Sequence, residues 1–220
     1  MRILKMMPLL AVLTSLLVLT GCAGTRPVPY SGLASSSQLR LNPDDKSDRV
    51  PYQYAANVNW REYVNVVLDP VEIYSEPDNQ FEAVSPQEKE MLAQYMEEQF
   101  RKALASRWTL VSAPAAKTIR VRATLTGAKS NTRMISTFLR FDLGGGPYNA
   151  VQAVRDEEGL LTGSVSYAVE IYDASTNRLL NAYVAKQFPN AWNIKATLGR
   201  MDASKVGIEK AATDLVARLN

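Results

Sequence analysis

The stretch TIRVRATLTGA, residues 118–128, decides the fold, because apolar and polar side chains alternate strictly along it. Ile119, Val121, Ala123 and Leu125 share one side, and arginine or threonine occupies the positions between them. A period of two predicts a β-strand with one buried face. Arg120 and Arg122 would then project together from the other face, as an ordinary solvated surface or as a patch for anions or lipid headgroups.

A β-hairpin is predicted downstream, over residues 163–188. Val165, Tyr167, Val169 and Ile171 alternate in its first arm. In its second arm we place Leu180, Ala182 and Val184 on one face. The sequence DASTN between the arms has turn chemistry, since Asp and Asn side chains bond their own backbone.

Two helices are predicted around these strands. SPQE at residues 85–88 combines an N-cap serine, a proline at the first helical position and a capping-box glutamate. An apolar stripe with helical spacing continues to about residue 106, and a second one covers 203–219, with Asp202 as its N-cap. A β-branched run at 63–74, interrupted by Pro70, predicts a strand that kinks or becomes an edge strand after Asp69.

The order of elements is therefore β-α-β-β, a variable segment, then β-β-α. This order predicts one α+β domain with its helices packed on one face of a largely antiparallel sheet. We expect a signal peptide over residues 1–21, a tether over 22–59, and the folded domain over 60–220. As a flexible coil the tether would span roughly 35 Å, although Tyr30, Leu33, Leu39 and Leu41 favour partial packing on the domain.

Composition disfavours several classes of function. The 220 residues contain no histidine and one cysteine, which removes the commonest general base, intrachain disulfides and Cys/His zinc sites. The formal net charge is +3, of which Arg2 and Lys5 supply two, and no basic stripe is present. We therefore expect no nucleic-acid partner, metal or cofactor.

The N-terminus has the pattern of a secretory signal peptide: two basic residues, a short apolar run and small residues. Leu19, Thr20, Gly21 and Cys22 resemble the lipobox of bacterial lipoproteins at all four positions. This resemblance implies cleavage before Cys22 and acylation of its sulfur and new amino group. Ala23 at the next position, where an inner-membrane retention signal would have Asp, implies sorting to the outer membrane with the domain facing the periplasm.

The variable segment contains a glycine-rich stretch, FDLGGGPYN, at residues 141–149. Gly144, Gly145, Gly146 and Pro147 lack the Lys-Ser/Thr that follows a phosphate-binding loop. We interpret this apolar segment either as a flexible or partly helical crossover or as a loop that faces a partner or a membrane.

Several short motifs in the mature chain are similar to an uncharacterised family of Gram-negative lipoproteins, domain-of-unknown-function family thirty-three thirteen. They lie at residues 31–33, 37–39, 68–71 and 173–179, with four further positions in the first helix. The resemblance implies a compact α+β periplasmic domain and no catalytic residues.

The sequence thus predicts a non-enzymatic outer-membrane lipoprotein that acts as a binding or accessory component of the cell envelope. The alternative is a lipoprotein that binds a small molecule, lipid or glycan, and a hydrolase that uses two converging carboxylates is a third hypothesis.

Overall fold

One long strand, Thr118–Lys129, organises the sheet in the computed structural model, which describes residues 26–131, 163–189 and 199–219. The elements within those ranges are β1 (Arg40–Leu41), β2 (Tyr52–Ala55), β3 (Asn65–Leu68), β4 (Glu72–Ile73), β5 (Gln80–Glu82), α1 (Pro86–Ala105), β6 (Thr109–Leu110), β7 (Thr118–Lys129), β8 (Ser164–Asp173), β9 (Leu179–Gln187) and α2 (Asp202–Arg218), with short 3₁₀ turns at Ser36–Gln38 and Trp60–Glu62.

The strands of the described ranges form one sheet in the order β1-β2-β9-β8-β7-β3-β6. The neighbouring strands β1, β2, β9, β8 and β7 pair antiparallel in that order. Strands β3, β4 and β5 run parallel to β7 and pair one after another along its other edge. The chain leaves β3 at Asp69 and returns as β4 after Pro70, which confirms the predicted kink. The predicted α+β domain with a largely antiparallel sheet is confirmed.

Both helices lie on one face of this sheet, as predicted. Helix α1 begins at the predicted capping box, in which the backbone N–H of Glu88 donates to Ser85 Oγ and that of Ser85 donates back to the Glu88 carboxylate. Its buried side chains pack on the alternating apolar residues of β7 and β8. Helix α2 begins one residue earlier than predicted, so Asp202 is its first residue and Met201 is the N-cap.

The opposite face of the sheet is covered by residues 26–41, so the structure corrects the predicted tether and confirms the expected packing of Tyr30, Leu33 and Leu39. Tyr30 is fully buried and Leu33 and Leu39 are nearly so, in a second apolar cluster with residues of β8 and β9. Strand β2 also pairs with β9 over four residues. The described part of the predicted tether, residues 26–59, therefore belongs to the domain, although Leu41 is 64% exposed.

The second arm of the hairpin differs from its predicted register. An irregularity in the pairing between Ile171 and Tyr172 turns Leu180 toward the helices and Ala182 toward the other face. Because one extra residue in a strand reverses the facing of all that follow, Tyr183 and Ala185 occupy the helix-side positions instead. Among the described residues, no helix combines the length and apolar character needed to cross a bilayer.

Candidate functional site

Arg120 and Arg122 leave β7 on the face opposite the helices, as predicted, and both bind one carboxylate. Arg120 Nε lies 2.9 and 2.8 Å from the two oxygens of Asp69, and Arg122 Nε lies 3.1 Å from Asp69 Oδ2. The arginine side chains are 35% and 38% exposed, against 18% for Asp69. The kink after β3 places Asp69 there, because its backbone N–H bonds the carbonyl of Val121 between the two arginines.

A second acid, Glu170 of β8, completes this arrangement. Glu170 is directly opposite Arg122 in the sheet and is 5% exposed. Its Oε1 accepts a hydrogen bond of 2.6 Å from the backbone N–H of Ser35, in the segment that covers this face. We call Asp69, Arg120, Arg122, Glu170 and Tyr172 the arginine cluster.

The surroundings of the arginine cluster favour the charged form of Arg122 and the neutral form of Tyr172. Burial acts to lower the pKa of Arg122, but the hydrogen bond and charge of Asp69 outweigh it and raise that pKa. Burial raises the pKa of Tyr172 to about 12. The negative charge of Glu170, and the hydrogen bond that the Tyr172 hydroxyl donates to its carboxylate, contribute to this increase. The guanidinium of Arg122 also lies 5.4 Å from the centre of the Tyr172 ring.

The two arginines are neither the freely solvated pair nor the open anion patch that the strand pattern allowed. Two positive and two negative side chains make the arginine cluster formally neutral, so an incoming anion would compete with Asp69 for both guanidinium groups. Such half-buried pairs fix the geometry of a surface more than they attract ligands. We assign the cluster a positioning role, joining β3, β7, β8 and the covering segment.

The second notable region is one end of the sheet, where β7 and β9 finish and β8 starts, at Lys129, Gln187 and Ser164. We call it the loop end and the opposite end, around Thr118 and Asp173, the hairpin end. At the loop end the Asn131 side chain accepts from Gly163 N–H at 2.7 Å and donates to the Gly199 carbonyl at 2.7 Å. Asn131 is 3% exposed and its backbone N–H bonds the Arg200 carbonyl.

Asn131 thus ties together the residues that precede and follow segment 132–162, and the residues that follow segment 190–198. The glycine at position 163 is required by this contact, since a Cβ there would lie 2.6 Å from Asn131 Oδ1 and 2.7 Å from the Lys129 carbonyl. Arg200 extends the connection to helix α1 through Glu88, with an Nε–Oε1 distance of 2.9 Å. The described chain therefore stops at Asn131 and resumes at Gly163 at the same end of the sheet, the loop end.

The described chain also begins at the loop end. The carbonyl of Arg26 accepts a hydrogen bond from Gln80 Nε2 at 2.8 Å, beside the start of β5, and its guanidinium lies 2.7 Å from Asp48 Oδ1. The next residue, Arg49, stacks on Phe188 at 3.9 Å from the ring centre and donates to Gln187 Oε1.

The residues that the sequence proposed for lipidation, cleavage and partner contact lie outside the described residues. These are Leu19, Thr20, Gly21 and Cys22 at the N-terminus, and Gly144, Gly145, Gly146 and Pro147 in the variable segment. Within the described ranges, no group of three or more His, Cys, Asp or Glu side chains could hold a metal ion.

Sequence reasoning did not identify Asp69, Glu170 or Asn131 as partners of these sites. Glu170 carried a usable signal, because it is a charged residue at a facing position in an otherwise apolar or small-residue arm. Asn131 carried none, since its role depends on chain segments 32 and 68 residues away.

A family model described as "Protein of unknown function (DUF3313)" matches residues 29–215, which confirms the resemblance read from the sequence. Its match begins at residue 29, within the segment that covers the sheet. Comparison with curated protein sequences gives no significant match.

The chain is similar to several solved structures at low sequence identity. The PelC dodecamer from Paraburkholderia phytofirmans is 10% identical, with 73% of this chain and 94% of that chain covered and a TM-score of 0.38. The hypothetical protein CT253 from Chlamydia trachomatis is 14% identical over 71% and 95%, with a TM-score of 0.37. A putative neuraminyllactose-binding hemagglutinin homolog from Helicobacter pylori is 10% identical over 81% and 87%, with a TM-score of 0.34. At these values the neighbours' activities have no bearing on this chain.

Proposed function

The chain belongs to the DUF3313 family, and we propose that it is an outer-membrane lipoprotein whose periplasmic domain binds another component of the cell envelope without catalysing a reaction. The observation that carries this proposal is the sequence Leu19-Thr20-Gly21-Cys22, which stands four residues before a folded domain. Each buried methylene of an acyl chain contributes about 0.8 kcal/mol, so two or more chains on Cys22 would hold the protein firmly at a membrane.

The polar clusters of the described ranges support a binding role over an enzymatic one. The arginine cluster is occupied by its own acids, and Asp173 is occupied by the hairpin turn, where it accepts from Ser175 and Thr176. A hydrolase would need two carboxylates that converge on a substrate, whereas Asp69 and Glu170 are each committed to protein donors. The small-molecule alternative loses one of its two motivations for the same reason, because Arg120 and Arg122 are paired with acids of the domain, whereas its other motivation, the number of aromatic residues, is unaffected.

The anchor is tested with Cys22→Ser in the full chain expressed in a Gram-negative host. We expect the wild-type chain to incorporate labelled palmitate and to fractionate with the outer membrane, and we expect the variant to do neither. Ser37→Ala, at an exposed position of the covering segment, is the matched control and should behave as wild type. Outer-membrane fractionation of Cys22→Ser without palmitate would contradict the proposed anchor.

The binding role is tested separately by photocrosslinking in intact cells, with the reactive residue scanned through positions 134–154. We expect one reproducible crosslinked product from this scan. A probe at Ala115, exposed at the hairpin end, serves as the control for chance collisions. Crosslinking that is absent from the scan, or equal to that at Ala115, would argue against a partner at this segment.

A further inference from the structure

We propose that the loop end of the domain lies against the lipid surface, with the hairpin end pointing away from it. This inference rests on the proposed function, because it takes Cys22 to be the acylated residue. It commits the loop end to one partner, the headgroup layer of the anchoring membrane.

The length of chain between the anchor and the fold is the first argument. Cys22 and Arg26 are four residues apart, and a fully extended chain covers at most about 3.5 Å per residue. Arg26 can therefore stand no more than about 14 Å from the anchored residue. A tether that extended to residue 59 would allow far greater separation, but residues 26–59 are part of the fold.

The firmness of the attachment at Arg26 is the second argument. Its carbonyl bonds Gln80, and four residues later Tyr30 is fully buried, with its hydroxyl donating to Gln80 Oε1 at 2.9 Å. Just after Tyr30, Ser31 N–H donates to Asp78 Oδ2 at 2.8 Å and Gly32 N–H donates to the Tyr74 hydroxyl oxygen at 2.8 Å. The linker to the anchor could be lengthened only by detaching residues 26–32 from the domain, which would expose Tyr30 and break all of these hydrogen bonds.

The position of Arg26 within the domain is the third argument. Gln80 pairs with Gly127 near the end of β7, and the ion-pair partner of Arg26, Asp48, belongs to the β1–β2 loop beside Lys186 and Gln187. All of these lie at the loop end. Strand β8 has ten residues, so the hairpin end is about 30 Å farther along the sheet. A linker of at most about 14 Å keeps the loop end near the bilayer. The hairpin end could be equally near only if the domain lay flat on the membrane.

A pair of single-cysteine variants tests the orientation. Cys22 is the only cysteine of the chain and its sulfur would be in a thioether, so an introduced cysteine is the single free thiol. Lys46→Cys marks the loop end and Ala115→Cys the hairpin end, and both positions are exposed. Each full-length lipidated protein is labelled with a short-range fluorescent donor and inserted into phosphatidylethanolamine/phosphatidylglycerol vesicles that contain an acceptor lipid.

We expect energy transfer to the acceptor lipid to be at least about twofold greater from position 46 than from position 115, given the separation of the two ends. Inserting a 20-residue Gly/Ser spacer after Gly24 lengthens the linker by roughly 25 Å and should reduce the energy transfer from position 46 to the acceptor lipid. Equal transfer from both positions, or greater transfer from 115, would overturn the inference. Intact mass measured on the same samples separates the two proposals: lipidated protein with the wrong transfer pattern overturns the orientation alone, whereas unacylated protein overturns both.

Discussion

Replacing Tyr30 measures whether residues 26–41 are a structural part of the domain. The Tyr30 side chain is fully buried, packs edge-on against the Tyr74 ring at 5.3 Å and donates to Gln80 Oε1 at 2.9 Å. Truncating a buried aromatic ring to alanine costs about 3–5 kcal/mol, and a hydrogen bond accounts for about 1 kcal/mol of that. We expect Tyr30→Ala to lower the free energy of unfolding by about 3–4 kcal/mol and Tyr30→Phe by about 1 kcal/mol.

Urea unfolding of the mature chain in detergent, followed by tryptophan fluorescence, gives the free energies directly. Leu41→Ala is the matched control in the same segment, because Leu41 is 64% exposed, and it should change the free energy of unfolding by less than about 0.5 kcal/mol. Burial also raises the pKa of Tyr30 to about 12, so its phenol should titrate above the ordinary tyrosines when absorbance is followed at alkaline pH. Tyr30→Ala with the stability of Leu41→Ala would refute the reasoning and restore the tether.

Three further predictions concern the cluster, the sheet edge and the loop end. Asp69→Asn should lower the free energy of unfolding by about 2 kcal/mol in urea titrations, because Arg120 and Arg122 are left half-buried beside each other without their shared charge; no change would contradict the positioning role. Gly127→Ala should cost about 1–3 kcal/mol, because the new Cβ would lie 2.5 Å from the Gln80 carbonyl oxygen, and an unchanged melting temperature would contradict that close approach. The hydrogen bond from Arg200 lowers the pKa of Glu88 to about 2, so the stability that the Glu88 carboxylate contributes to the fold is complete above pH 4.5 and is lost as the pH falls toward 2. The free energy of unfolding measured across that range should therefore depend less on pH in Glu88→Gln than in the wild type. An equal slope in the two proteins would show that Glu88 does not contribute to the pH dependence of stability.

The long elements could be predicted because their local chemistry agrees with their tertiary role. The capping box at Ser85 and Glu88 fixed the start of α1, and the alternation from Ile119 to Leu125 fixed the facing of β7. Strand β4 lies within the predicted run at residues 63–74, but β5 could not be predicted, since three residues are too few to show a period. The existence of β5 depends on β7 being long enough to take three partners along one edge.

The extent of the tether and the hairpin register were mispredicted for two different reasons. Residues 26–39 form turns, irregular chain and a short 3₁₀ helix, so Tyr30, Leu33 and Leu39 are buried without any regular spacing. In β9, a single irregularity before Ala182 reverses the facing of the strand, and nothing in the alternation of small apolar residues marks it.

The candidate site was predictable only in part. The projection of Arg120 and Arg122 from one face followed from period two, but their partner Asp69 comes from the kink after β3, 51 residues before Arg120. The neutrality of the arginine cluster could therefore not be derived from the strand pattern. The sequence also did not show that Arg26 lies at the loop end, because that position depends on its hydrogen bond to Gln80 and on the pairing of β5 with β7.

The proposed lipid anchor is tested most directly by the intact mass and N-terminal peptide of the protein extracted from Gram-negative membranes. We expect a mature chain that begins at Cys22 and carries the mass of the acyl chains on that residue, with Arg26 four residues from the lipid. A mature chain that begins at any other residue, or that begins at Cys22 without acyl mass, would contradict the proposed anchor.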